Sequence, residues 1–236
     1  MIVGDSADWR RQLLDVHEVL LGRIAVVWPQ CSSRFGPKAR ENPISDQLVL
    51  SLQKDRIARR YIIVSQYKLL DEDLQGDVVT KGFVDIAVLI HQNELYLAFE
   101  CKRLNIRRGD KRESLAGKYV NEGVMRYVSA QYARRLPLGA MLGYVMDGDT
   151  EWAMARLSVA LEQRSATLRL AEPPIDLASV AFIHRFETLH YRAGEPSFEV
   201  RHGLLPLSQT AGVGGAGSPG SGRRDSAVQR AGRAPP

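Results

Sequence analysis

The stretch VDIAVLIHQNELYLAFECKRLN, residues 84–105, most constrains what this chain can fold into. Two apolar runs flank a short polar break, the pattern of two neighbouring β-strands joined by a tight connection. Yet Asp85, Glu100 and Lys102 stand inside those runs. Charged side chains are rarely buried without a partner, because leaving water costs several kcal/mol that something must offset. The three charges therefore either face water or meet one another and a ligand.

A turn centred on Gln92 and Asn93 pairs Ile90 with Leu95 and, carried along the strands, sets Asp85 opposite Glu100. Side chains directly opposed on antiparallel strands have Cβ atoms about 4.5 to 5.5 Å apart, and two like charges so placed repel unless something neutralises them. A divalent cation would do so. Strand alternation puts Glu100 and Lys102 on one face about 6.7 Å apart, with Phe99 and Cys101 on the other. Carboxylate oxygens suit hard cations such as Mg²⁺. Asp85 and Glu100 are thus candidate ligands, with Lys102 placed beside a metal-bound water. Phosphodiester hydrolysis is the natural reaction for such a set. Charges on a solvated sheet face are the alternative.

The remaining sequence supplies an α/β frame. Leu13, Val16, Val19, Leu20, Ile24 and Val27 recur at helical spacing over residues 8–28. A second helix is predicted over ENPISDQLVLSLQKDRIARR, with Pro43 in its first turn. YIIVSQYKLL (61–70), GFVDIAVLI and ELYLAFECK read as strands, and DEDLQGDVVTKG between the first two reads as a loop. A helix is expected over 119–136, a strand over 138–146 and a helix over TEWAMARLSVALEQR. Two late strands, in SVAFIHRFETLHYR and PSFEVRHGLLPL, are expected to extend the same sheet. The order around the charged hairpin is helix, three strands, helix, strand.

An aspartate on one strand, followed by Glu100-Cys101-Lys102 on the next within that order, resembles the PD-(D/E)XK nuclease superfamily over roughly residues 41–147. Val84 stands where the motif's name has proline. The resemblance implies a restriction-endonuclease-like αβββαβ core, a mixed β-sheet flanked by helices that hydrolyses nucleic acid with Mg²⁺ or Mn²⁺. It makes Asp85 and Glu100 metal ligands and Lys102 the catalytic lysine. It also draws in Glu41 from the first core helix, where an acid beside a helix start equally interacts with the helix dipole. Gln131 is a further candidate: it follows the stripe Val120, Val124, Tyr127 and Val128 on the expected helix. A polar residue there either faces the site or makes a structural hydrogen bond. Some branches of the superfamily carry a glutamine with a tyrosine four residues later, whereas here Tyr127 precedes Gln131 by four.

Arg103, Arg107, Arg108, Lys111, Arg112 and Lys118 crowd the segment after Lys102 and are candidates for tracking phosphates past the site. A solvated loop is the alternative reading. The net charge of +5 is compatible with an anionic partner. His184, His190 and His202 lack metal-site spacing and read as structural.

Two cysteines, Cys31 and Cys101, at no metal-binding spacing point to a reduced, cytoplasmic protein. No stretch approaches the roughly 20 apolar residues that span a bilayer. At 236 residues the chain has room for a sizeable core. The expected organisation is an N-terminal helical extension (1–40), a nuclease-like domain (41–207) and a disordered Gly/Arg-rich tail (208–236), whose few large apolar residues cannot offset ordering entropy.

The expected function is a metal-dependent nuclease acting on nucleic acid, with DNA favoured. Without a DNA-reading module of its own, it would work with a protein partner, or as an oligomer, in a prokaryotic defence or DNA-processing system. The alternative is a non-catalytic nucleic-acid-binding or assembly module with the same fold.

Overall fold

In the computed structural model the described residues are 6–73, 75–90, 95–192 and 197–207. Both the expected turn at Gln92–Asn93 and the tail from residue 208 lie outside them.

The chain folds as α/β, around one seven-stranded mixed sheet. Its strands are β1 (Ile62–Glu72), β2 (Val78–Ile90), β3 (Leu95–Leu104), β6 (Leu138–Val145), β7 (Ile175–Val180), β8 (Ile183–His190) and β9 (Phe198–Pro206), in spatial order β1-β2-β3-β6-β9-β8-β7. The central β3, β6 and β9 run parallel to one another, and both flanks are antiparallel. β6 is buried along its whole length, as expected of a central parallel strand covered on both faces. β4 (Ile106–Arg108) and β5 (Lys111–Glu113) form a separate two-stranded ladder within the basic segment after Lys102.

Helices α1 (Ser6–Ser32) and α2 (Glu41–Lys54) cover one face. His17 stacks on Phe99 with ring centroids 5.9 Å apart, Trp28 stacks on Tyr144 at 5.5 Å, and Ser45 Oγ lies 2.9 Å from the Tyr144 hydroxyl. Leu13, Val16, Leu20, Leu21, Ile24 and Trp28 bury one side of α1, so this helix belongs to the core. Val19, expected in the buried stripe, is exposed.

The opposite face carries α3 (Ala116–Lys118), a π-helical segment (Tyr119–Val124) and α4 (Met125–Val128), followed by α5 (Thr150–Gln163) and α6 (Ser165–Leu168). The Tyr127 hydroxyl donates to the carbonyls of Ala98 and Ala140, which ties this face to β3 and β6. Asp149 accepts from the Trp152 amide and caps α5.

Two expectations are corrected. The loop assigned to DEDLQGDVVTKG is partly strand: β1 runs to Glu72 and β2 starts at Val78, so VVTKG lies within β2. The helix expected over 119–136 ends at Val128. Ala130, Ala133 and Arg135 then adopt positive φ values of 56°, 51° and 63°, a conformation that no right-handed helix contains. The buried stripe Val120, Val124, Tyr127 and Val128 falls entirely before this break.

Candidate active site

β2 and β3 pair Ile86 with Phe99 through Ile90 with Leu95, the register expected from a turn centred on Gln92 and Asn93. The next rung would join Asp85 to Glu100. At that rung the ladder stops, and the Asp85 side chain takes the place of a backbone partner: its Oδ2 accepts from the Cys101 amide at 2.8 Å. Its Oδ1 accepts from Gln66 Nε2 at 3.2 Å. Gln66 has a positive φ of 50° between the Ser65–Ile86 and Tyr67–Val84 pairs of β1 and β2. A non-glycine residue pays for that conformation locally, and here the residue delivers an amide to the carboxylate. Asp85 is 7 % exposed.

Glu100 is fully buried. Its Oε1 accepts from Lys102 Nζ at 2.5 Å and from Arg126 Nη1 at 2.8 Å, while its buried Oε2 has no hydrogen-bond partner. Burial first, and then the neighbouring Asp85 charge, push the Glu100 carboxyl up to about 7, against the opposing pull of Lys102 and Arg126.

Lys102 Nζ donates also to Glu41 Oε1 at 3.2 Å and to the Cys101 carbonyl at 3.1 Å. An ammonium has three donors, and all three are engaged. Burial pulls the Lys102 amine down, but the charges of Glu100, Glu41 and Asp85 together outweigh it and hold the amine above its ordinary value. It is an ammonium at neutral pH.

Glu41 is the first residue of α2, and its Oε2 accepts from the Arg103 amide at 3.0 Å. It therefore binds the strand that carries Lys102 at two points. The structure brings Glu41, Asp85, Glu100 and Lys102 together where β2 parts from β3 and α2 begins.

Gln131 is not part of this group. Beyond the helix break its Nε2 donates to the Lys81 carbonyl on β2 at 2.7 Å, a structural contact. The contact expected from it is made instead by Arg126, which bridges Glu100 and the Tyr132 hydroxyl at 2.6 Å. Tyr132 in turn donates to the Phe83 carbonyl at 2.6 Å. Sequence reasoning missed Arg126, Tyr132 and Gln66. Arg126 sits one position before Tyr127 of the apolar stripe, and only the helix orientation distinguishes it from a surface arginine.

The six basic candidates divide. Arg107, Arg108, Lys111 and Lys118 are exposed, and Arg108 pairs with Glu113 at 2.6 Å across the small ladder. Arg103 donates to the Ala39 carbonyl at 3.0 Å. Arg112 pairs with Asp147 at 2.6 Å and Asp149 at 3.0 Å, and stacks over Trp152 with its guanidinium carbon 3.9 Å from the ring centroid. These last two have structural partners.

Among the described residues, no group of three or more His, Cys, Asp or Glu side chains is arranged to hold a metal ion, and no helix is long and apolar enough to cross a membrane. Set against known proteins, the chain matches no family model, no curated protein and no solved structure.

Proposed function

We propose that this chain is a metal-dependent nuclease with a restriction-endonuclease-like core, hydrolysing phosphodiester bonds of nucleic acid, DNA above all, with Mg²⁺ or Mn²⁺. One observation carries the reading: Glu100 is fully buried beside Asp85, and its Oε2 accepts no hydrogen bond although Lys102 and Arg126 converge on the other oxygen. A buried carboxylate oxygen without a donor is costly in an apoprotein. A cation removes that cost.

The donor set fits a hard cation that keeps several waters, since two carboxylates from the protein are then sufficient. Glu100 Oε2 and Asp85 would hold it, and Asp85, an acceptor with lone pairs beyond its two hydrogen bonds, would share its charge. When bound, such an ion neutralises phosphate charge and eases deprotonation of water. Lys102 enters as an ammonium with all three donors engaged, so its part is electrostatic: its charge stabilises negative charge developing on the phosphate, or reaches it by giving up one present hydrogen bond, rather than removing a proton. Glu41 holds Lys102 in place from α2, and Arg126 is fixed by Tyr132 beside the same carboxylate. The basic surface at Arg107, Arg108, Lys111 and Lys118 supports a polyanionic substrate.

Incubation of the purified protein with plasmid and with RNA tests this, with Mg²⁺, with EDTA, and as Lys102→Ala. Cleavage that stops on chelation and on substitution is expected. Cleavage surviving both rejects the mechanism.

A non-catalytic nucleic-acid-binding module is the second reading. It is favoured by the two cations already on Glu100. Nucleic-acid binding without metal-dependent cleavage would select it.

A further inference from the structure

The outer half of the β1–β2 hairpin leans on residues 129–136 rather than on β3. Gln131 Nε2 reaches the Lys81 carbonyl, Tyr132 reaches the Phe83 carbonyl, and Arg134 Nη1 lies 3.5 Å from Asp71 Oδ2. Between these two elements is a cavity of about 300 Å³, lined among others by Asp71, Lys81, Tyr96, Gln131, Arg134 and Arg135. Three cations and one carboxylate line it. Asp71 pairs with Lys81 at 2.9 Å and with Arg134 at 3.5 Å, whereas Arg135 is exposed and has no ion pair among the described residues. The segment holds Ala130, Ala133 and Arg135 at positive φ. Strain of this kind clusters where a chain is shaped for a ligand.

We propose that this cavity is a phosphate subsite for the nucleic-acid strand, separate from the Glu100 centre and occupied by a phosphodiester a few nucleotides from the one being attacked. The proposal rests on the nucleic-acid reading above and adds the path of the strand. Two elements join cavity and centre. Along β2, Lys81 precedes Asp85 by four residues, about 13 Å of extended strand. Along the 126–135 segment, Arg126 and Tyr132 serve Glu100 while Arg134 and Arg135 serve the cavity. A surplus of flexible cations in a concave, open site recognises backbone phosphate without reading sequence. A strand lying along this track would cross the outer face of the β1–β2 hairpin before reaching the buried carboxylates.

Fluorescence anisotropy in EDTA, with 5′-labelled single-stranded DNA and RNA oligonucleotides of one sequence, tests the subsite. Arg134→Gln combined with Arg135→Gln is expected to weaken binding at low salt at least about fivefold. It should also reduce the log–log salt slope by roughly 0.7 for each phosphate of a single strand that the variant leaves unneutralised. Asp71→Asn is expected to tighten binding, a gain that a damaged fold does not produce. An unchanged affinity and slope in the double variant, or weaker binding by Asp71→Asn, overturns the proposal. If the wild type cleaves while the double variant binds like it, only the subsite falls. Pocket-dependent binding without any cleavage keeps the subsite and rejects hydrolysis, and a wild type that binds neither oligonucleotide rejects both.

Discussion

Glu41 and Lys102, 61 residues apart in sequence, meet with Oε1 and Nζ separated by 3.2 Å. The same carboxylate accepts the Arg103 amide through its other oxygen, so the first turn of α2 is bound to β3 at the position of the candidate catalytic lysine. Glu41→Gln keeps the shape and removes the charge. Cleavage in Mg²⁺ is expected to fall, by about tenfold or more, with thermal stability lowered by about 1 kcal/mol. A variant that cleaves at the wild-type rate would show that Glu41 only anchors the helix.

Tyr132→Phe removes one hydroxyl from a chain that links Phe83, Tyr132, Arg126 and Glu100. The ring stays packed, edge-on to Tyr127 with centroids 5.9 Å apart. Circular dichroism is expected to match the wild type, with a loss in stability of about 1 kcal/mol. The cleavage rate should drop severalfold because Arg126 loses its second anchor. An unchanged rate would place Arg126 outside the reaction.

A buried relay runs through the helical face opposite α1. Tyr119 Oη lies 2.9 Å from His202 Nδ1, His202 Nε2 lies 2.9 Å from Thr188 Oγ1, and that hydroxyl lies 2.7 Å from His190 Nε2. His190 Nδ1 donates to the Leu168 carbonyl at 2.8 Å, and a neutral His190 then accepts from Thr188 Oγ1 through Nε2. Burial lowers His190 to about 4 and holds His202 well below its ordinary value. Between about 4 and 6.5 the unfolded chain therefore binds more protons than the folded one, so stability rises with pH across that window and is lost on acidification. Glu100, raised to about 7, acts in the opposite sense over this window, so urea midpoints are compared in a Glu100→Gln background, where they should decline from pH 7 to pH 4. Thr188→Val, which strands two buried groups, should cost about 1–3 kcal/mol at pH 7. A flat pH profile would contradict the neutral buried pair.

Two glycines separate packing from function. A Cβ at Gly139 would stand 2.4 Å from the Tyr127 ring, which is fully buried and hydrogen-bonded to both neighbouring strands. At Gly123 the near atom, also at 2.4 Å, is the terminal methyl of Met141. Gly139→Ala is expected to destabilise by about 1–3 kcal/mol, and Gly123→Ala by less, because a methionine end can turn aside and a wedged aromatic ring cannot. Equal melting temperatures for the two variants would refute that distinction.

The register of the charged hairpin was readable because a short polar break between two apolar runs places the turn at Gln92 and Asn93, and that centre alone pairs Ile90 with Leu95. Glu41 was reached by another route: the resemblance calls for an acid at the start of the first core helix, and Pro43 marks that start. The end of the next helix was not readable. Ala130, Ala133 and Arg135 are ordinary helix formers, and only contacts with the β1–β2 hairpin hold them at positive φ. Of the two readings of Gln131, the break selects the structural hydrogen bond, and it also hid Tyr132, whereas Arg126, still within α4, was hidden by the orientation of that helix. Gln66 was hidden differently, since nothing in YIIVSQYKLL signals that one strand residue will reverse its φ to serve an aspartate. The two buried histidines of the relay were read as structural from their spacing, and their hydrogen bonds agree.

At Asp85 the sheet is stitched by a side chain where a peptide carbonyl would ordinarily stand. A peptide carbonyl offers a cation only a partial charge, whereas this carboxylate offers a full one and keeps lone pairs beyond the two hydrogen bonds it accepts. A cation drawn to Asp85 would therefore sit on the seam between the β1–β2 hairpin and β3, so the side chain that closes the sheet would also tie it to whatever fills the centre.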